Sequence, residues 1–366
     1  MRADSATAGE TDRRIKQVER HRPGAPDGFR AKAEPDGGVR ENFGQRRHGL
    51  SLSQKLGRFT RGFDAAPHKS HNWPVQNPHQ IFDRALLRAR LARAWRAGDP
   101  CDFLAARTAE DLMFRLSGVS RAFPRALDLG SPHPIIADVL EAPGRFVVRA
   151  APVPAALGGG GAPVIADDEI PPFAPASFDL VVCALNLQFV NDLPGVLAQI
   201  RRILAPDGLF LAALVGGQTL RELRACLAWA QEEIEGGASP RVAPFADLRD
   251  LGALMQRAGL ALPVADCDSF TVRYPSVFEL FRDLRGMGAT NALLAGARRP
   301  LRRAVLFRAA KLYREQFSDP DGKIRASFEI IWASGWAPHE SQQKPLAPGS
   351  AQARLSAVLG DKSGDF

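Results

Sequence analysis

Short apolar runs alternate with amphipathic stretches through the middle of the chain. The runs at 126–129, 146–148, 164–166, 178–183 and 209–215 have the length and composition of strands. Between them, 135–140 and 193–204 carry apolar residues at helical spacing. FDLVVCAL and LFLAALV are apolar at nearly every position, as expected of parallel strands covered on both faces. Upstream, Ile81, Ala85, Leu86, Ala89 and Leu91 fit one face of a basic helix, and 103–116 fits a second. The last third reads as helices over 220–235, 248–258, 278–284 and 301–317, with strands at 269–275 and 327–336. Strands alternating with helices predict βαβ units and a mostly parallel, doubly wound α/β sheet, with helices before it and an α+β extension after it.

The pattern stops at both ends. Residues 1–77 show no sustained period and are punctuated by Pro23, Gly24, Pro26, Gly28, Pro35, Gly37 and Gly38. Such a segment buries too little apolar surface to offset its ordering entropy, so a disordered tail is expected. It also reads as an upstream extension of a chain that starts near Gln76. Residues 346–366 are expected to be a loose tail, which leaves 78–345 as one folded domain. The formal charge is +8, but residues 1–77 hold 15 Lys+Arg against 9 Asp+Glu, or +6, so the rest carries only +2. That balance gives no reason to expect nucleic-acid binding by the folded part. No apolar run approaches the ~18 residues of a membrane span. Cys101, Cys183, Cys226 and Cys267 form no paired spacing, which points to free thiols in a reducing cytoplasm and to neither zinc nor a disulfide framework.

Several stretches carry chemistry. RALDLGSPHP places Asp128 and Gly130 where a first strand would end. IADDEIPPF puts Asp167 and Asp168 after the third strand. Asn186, Gln188, Phe189, Asn191 and Asp192 follow the fourth, and LAPDGLF leads into the fifth. These stretches resemble the class I S-adenosylmethionine-dependent methyltransferases, whose fold is Rossmann-like. GGQTLRELR, FELFRDLRGMG, KLYREQF and GWAPHESQQKP narrow the resemblance to one subfamily. It contains a mitochondrial assembly factor of respiratory complex I that acts as a protein arginine hydroxylase; malonyl-carrier-protein methyltransferases are more distant relations. The resemblance covers roughly residues 81–350.

It implies S-adenosylmethionine as cofactor, with Asp128, Gly130, Ser131, Asp167, Asp168 and Asn186 near it. It implies a respiratory complex I subunit as partner, and hence a cytoplasmic protein peripheral to a membrane through that partner. Gln188, Phe189, Trp336, His339 and Glu340 are expected to meet substrate or partner. No residue is assigned as catalytic and none as a metal ligand. Against the family pattern, Pro132 and Pro134 stand at glycine positions and remove two N–H donors. Ala150, after Arg149, stands where a ribose-binding carboxylate is usual, so cofactor binding is expected to be weak.

Each candidate also has a structural reading. Asp167 and Asp168 suit a turn, and Asn191 or Asp192 suits a helix cap. Trp332 and Trp336 suit core packing. The adjacent His339 and Glu340 would diverge in regular structure. Arg84, Arg88, Arg90, Arg93 and Arg96 suit a solvated helix face, or else a lid or a surface for an acidic partner. Arg298, Arg299, Arg302, Arg303 and Arg308 form a similar cluster. Three functions remain: a methyltransferase acting on a protein or small acid, a protein arginine hydroxylase, and a non-enzymatic assembly chaperone.

Overall fold

The computed structural model describes residues 80–98, 101–245, 247–295 and 300–343. The expected tails at 1–77 and 346–366, and Arg298 and Arg299, lie outside the described residues. Seven strands among the described residues form one sheet: β1 (Arg125–Leu129), β2 (Phe146–Ala151), β3 (Ala162–Ile165), β4 (Phe178–Ala184), β5 (Leu204–Val215), β6 (Ala261–Tyr274) and β7 (Ile324–Trp336). Their order is β3-β2-β1-β4-β5-β7-β6. The first five are parallel, and β7 and β6 add an antiparallel edge. The fold is therefore the expected mostly parallel, Rossmann-like sheet of the class I methyltransferases. Strand order reverses between β1 and β4, so a crevice opens beyond their carboxyl ends.

Helices α1 (Arg84–Arg96), α2 (Phe103–Ser117), α3 (Ile135–Leu140), α4 (Leu193–Ile203), α5 (Arg221–Glu235), α6 (Leu248–Arg257), α7 (Val277–Gly286) and α8 (Arg303–Phe317) complete the chain. One core joins Leu104 and Leu112 of α2, Ile136 of α3, Leu223 of α5 and Tyr313 of α8 to one face of the sheet. A second joins Val196 and Ile200 of α4 and Leu251 and Met255 of α6 to the other. Helices on both faces explain why β4 and β5 are apolar without alternation. Asp192 caps α4 by accepting from the Gly195 amide at 2.9 Å. Asn191 does something else: its Oδ1 accepts from the amides of Ile81 and Phe82, both at 2.8 Å, and fixes the chain entering α1.

Three element boundaries differ from expectation. β6 begins at Ala261 rather than near 269; it is the sheet's edge, and half-buried Asp266 and Asp268, paired with Arg115 and Arg107 of α2, interrupt its apolar pattern. β5 begins at Leu204 and absorbs the LAPDG link, with Asp207 in the left-handed region at φ 61°. β3 spans Ala162–Ile165, shifted from 164–166, and alternates between half-buried and exposed.

Candidate functional site

The crevice is built first from a glycine. Gly130 follows β1 with φ +79°, and its amide donates to the Ala150 carbonyl at 2.8 Å. A Cβ there would lie 2.3 Å from Asn186 Nδ2 and 3.0 Å from Asp168 Cβ, so only glycine lets these three segments meet. Asn186 Nδ2 donates to the Leu129 carbonyl (3.1 Å) and to Asp168 Oδ2 (3.0 Å), tying β4 to the segments after β1 and β3. Buried Ser131 accepts from the Ala184 amide through Oγ at 3.1 Å. The loop prolines have settled roles. Pro134 opens α3 with helical φ, where a missing N–H costs nothing. The Pro132 carbonyl accepts from Trp95 Nε1 at 3.1 Å, and the Trp95 and His133 rings lie 5.4 Å apart.

Beneath this loop lies a buried ion pair that the sequence gives no direct sign of. Arg149 stands 3.5 Å from Asp128, both essentially inaccessible, and its Nε donates to the Ala156 carbonyl at 3.0 Å. Burial pushes the Asp128 carboxyl up to about 7, against the pull of Arg149 and of hydrogen bonds from Ser131. Burial likewise lowers the Arg149 guanidinium, with Asp128 opposing. Arg149 thus fills the space behind Ala150 and braces the loop from below.

A cavity of about 820 Å³ opens above the loop. Gly130, Asp168, Asn186, Gln188 and Phe189 line it, so the structure brings these expected site residues together. Asp128, Ser131 and Asp167 stand behind or beside the lining. Asn186 Oδ1 and Gln188 Oε1 are buried and have no hydrogen-bond partner. Gln188 is held by Nε2 donating to the Leu185 carbonyl at 2.8 Å. Buried acceptors without partners are costly unless a ligand supplies donors.

Helix α1 roofs the cavity, and this settles the reading of its basic stripe. Arg84 reaches Asp167 (2.6 Å), Asp168 and Glu169 (3.2 Å), while Arg88 reaches the other oxygen of Asp167. Burial pulls the Arg84 guanidinium down, but Asp168, Asp167 and Glu169 more than offset it and leave it above its ordinary value. Burial pushes Asp167 up, yet the Glu169 amide and the two arginines hold it below the carboxylate range. Arg84 and Arg88 therefore clasp α1 to the segment after β3, while Arg93 and Arg96 of the same stripe are exposed. The other basic cluster is a surface one, with Arg308 paired to Glu233 (2.8 Å) and Arg302 to Glu235 (3.4 Å).

Trp336, His339 and Glu340 lie away from the cavity. β7 runs antiparallel to β5, and Trp336 pairs with Leu209 while Ile330 pairs with Val215. The GWAPHESQ segment thus leaves the sheet at the edge opposite the cavity. There Gln342 Nε2 donates to Asp207 Oδ1 at 2.8 Å, Ser341 contacts Asp207 Oδ2 and His339 Nδ1, and Arg121 pairs with the same carboxylate. The Trp336 ring sits 6.4 Å from that of Phe123, and Glu340 is exposed. The motif clamps the left-handed turn at Asp207.

S-adenosylmethionine fits this site in part. Gly130 offers close approach, and Asn186 and Gln188 line the cavity. Ala150 offers no acceptor for the ribose, and Asp167 and Asp168 are already engaged by arginines. Residues 135–212 match the family model described as Methyltransferase domain. The chain is 41% identical over 281 residues to the mitochondrial arginine-hydroxylase NDUFAF5 of Homo sapiens, covering 74% of this chain and 81% of that one. It is 37% identical over 286 residues to the Danio rerio protein of the same name, covering 74% and 87%. A malonyl-[acyl-carrier protein] O-methyltransferase of Halorhodospira halophila is 39% identical over 173 residues, covering 47% and 57%. With its parallel sheet, its glycine crevice and this similarity along nearly all of the described chain, the protein belongs to the methyltransferase-fold family that includes the NDUFAF5 arginine hydroxylases.

Proposed function

We propose that this protein is a methyltransferase-fold enzyme that acts on the arginine side chain of a protein client, and that the client is a subunit of respiratory complex I. One observation carries the reading: Asp168, Asn186 and Gln188 line the cavity beyond β1 and β4, and its edge already accommodates a guanidinium, that of Arg84, between Asp167, Asp168 and Glu169. A pocket so built suits a ligand with several N–H donors and a positive charge. The names of the relatives agree with that chemistry.

S-adenosylmethionine is the cofactor that the methyltransferase fold supports. It supplies a methyl group to a nucleophile when bound. Gly130, Ser131 and Asn186 are the residues that would hold it. Without a carboxylate at Ala150, one charge-assisted hydrogen bond is lost, a cost of roughly 1.5–3 kcal/mol. Affinity about 10- to 150-fold below that of a site with the carboxylate is therefore expected.

The test is a deletion strain. Native gels should show incompletely assembled complex I, and mass spectrometry of its subunits should show one arginine lacking a modification present in the parent. An added oxygen in the parent identifies hydroxylation; an added methylene identifies methyl transfer. Normal assembly with unchanged subunit masses contradicts the proposal.

A further inference from the structure

We infer that the limb of the cavity between α5 and α7 binds a long apolar chain with an anionic head, the chain along Leu223, Leu227 and Phe281 and the head at Arg282 and Arg285. This limb lies apart from the strand-end residues Gly130 and Asp168, and its ligand is distinct from the client arginine proposed above.

The cavity runs across several strands. Gly130 follows β1, Leu185 and Asn186 follow β4, Val215 ends β5 and Leu220 follows it, and all five line it. β1, β4 and β5 are neighbours in the sheet. At ~4.8 Å between strands, the cavity crosses about 10 Å of sheet edge before it reaches the helices. Beyond β5 it continues between Leu223 and Leu227 of α5 and Phe281 and Leu284 of α7. Its volume of about 820 Å³ lies toward the upper end of the ~300–1,000 Å³ typical of small-molecule sites.

Hydrogen bonding limits what can fill this limb. Thr219 Oγ1 donates to the Glu329 carbonyl at 3.2 Å and accepts from the Glu329 amide at 3.0 Å. Asn291 Nδ2 donates to the Pro240 carbonyl at 3.2 Å, and its Oδ1 accepts from the Leu293 amide at 3.0 Å. The Thr290 carbonyl accepts from Arg90 at 2.9 Å. These polar groups of the wall are thus engaged with the protein itself. A peptide threaded along the apolar side chains would bury N–H and C=O groups with few partners, at a cost. A methylene chain has none to leave unpaired and gains from burial.

Charge selects the head. Asp168 is the only carboxylate among the described lining residues, against five arginines. Arg84 and Arg88 are spent on the acids after β3. On α7, Phe278, Phe281, Arg282 and Arg285 stand at i, i+3, i+4 and i+7, one face of the helix, and all four line the cavity. Arg282 is 68% exposed and its ion pair is with Glu279 at 3.9 Å, a contact that contributes little. Arg285 is exposed and enters no salt bridge among the described residues. Two guanidinium forks side by side suit a carboxylate or a phosphate. Phe278, 43% exposed, lies 6.4 Å from the ring of Phe307, 61% exposed, so apolar surface continues out of the mouth, where an apolar chain can enter.

The experiment is calorimetry on the full-length protein, with every amphiphile below its micelle-forming concentration. The probes are octanoate, decanoate, dodecanoate, dodecyl phosphate, the cation dodecyltrimethylammonium, and an acetylated, amidated tripeptide of arginine between two leucines. In the wild type, affinity should rise about two- to fourfold per added methylene from octanoate to dodecanoate. Dodecyltrimethylammonium should bind about tenfold or more weakly than dodecanoate, the scale of one charge-assisted hydrogen bond. The tighter of dodecanoate and dodecyl phosphate identifies the head as carboxylate or phosphate. Arg282→Gln combined with Arg285→Gln should weaken dodecanoate about tenfold or more, and Phe278→Asp at the exposed rim should weaken it by a similar factor. The wild-type comparisons stand even where a variant fails to fold. No dodecanoate binding, affinity independent of chain length, or equal affinity for the cation would each overturn the inference. So would unchanged dodecanoate affinity in the folded double variant, or tighter binding of the tripeptide than of dodecanoate, which would give the limb to a peptide. None of these outcomes bears on whether a client arginine is modified in cells, so the proposed function is tested separately.

Discussion

The two ends of the central strands carry polar clusters built from the same materials. At the carboxyl edge, Arg84 and Arg88 meet Asp167, Asp168 and Glu169. At the opposite edge, Arg121, Ser341 and Gln342 meet Asp207, and His339 meets Ser341. The first cluster lies beneath a helix and beside a cavity of about 820 Å³, with Asp168 buried and Asp167 and Arg88 partly exposed. The second lies at the surface, and its side chains satisfy one another around a single left-handed turn. The HESQ residues thus brace a turn, while Gly130, Asp168, Asn186 and Gln188 line a cavity.

The sharpest way to break the contrast is to remove one acid from each cluster. Asp168→Ala leaves Arg84 in a largely buried place with part of its wall gone. It should cost about 3 kcal/mol in urea denaturation, the scale of a broken buried pair. Asp207→Ala frees Arg121, whose side chain is 44% exposed, and its ion pair is worth under about 1 kcal/mol. Equal losses at the two sites would erase the distinction. Gly130→Ala should cost about 2–3 kcal/mol, because φ +79° and a 2.3 Å approach to Asn186 both oppose a Cβ. A thermal melt matching the wild type would show that these segments give way more easily than their packing indicates.

Smaller effects sharpen the cofactor side. Ala150→Asp should raise S-adenosylmethionine affinity about tenfold by calorimetry, provided a melt shows the fold intact. Unchanged affinity would mean that Arg149, and not the missing acceptor, sets the weakness. A pH slope tests the buried pair beneath the loop. The Asp128 carboxyl is raised in the folded state from the ordinary 3.8 to about 7. A raised pKa means that its contribution is complete below 3.8 and is lost as pH climbs through about 7. Across that window the wild type should lose Tm progressively. Asp128→Asn should show a flatter profile; an identical slope would assign the effect to another group.

Much of the fold was legible because β1, β2, β4 and β5 are buried on both faces and so keep continuous apolar runs. The first half of β6 was not: an edge strand exposes one face, and Asp266 and Asp268 hide its period. Gly130, Asp168 and Asn186 were legible as a site because they follow strands whose carboxyl ends face the switch point. The clasp was only half legible. Arg84 and Arg88 show helical spacing, but their partners lie 79 to 84 residues away and no local pattern announces them. The missing acid was legible at Ala150, but the buried pairing of Arg149 beside it was not, since it depends on Asp128 and on the carbonyl of Ala156. The antiparallel course of β7 carries His339 and Glu340 away from the crevice.

If the client is handled at the carboxyl ends of the strands, the Asp168 side is needed for function and the Asp207 side is not. Complementation of a deletion strain with Asp168→Asn and, separately, Asp207→Asn tests it most directly, since asparagine tolerates the left-handed turn at 207. With both variants shown to accumulate as folded protein, complex I assembly on native gels should fail with Asp168→Asn and proceed with Asp207→Asn. Normal assembly with Asp168→Asn, or failure with Asp207→Asn alone, would contradict the account.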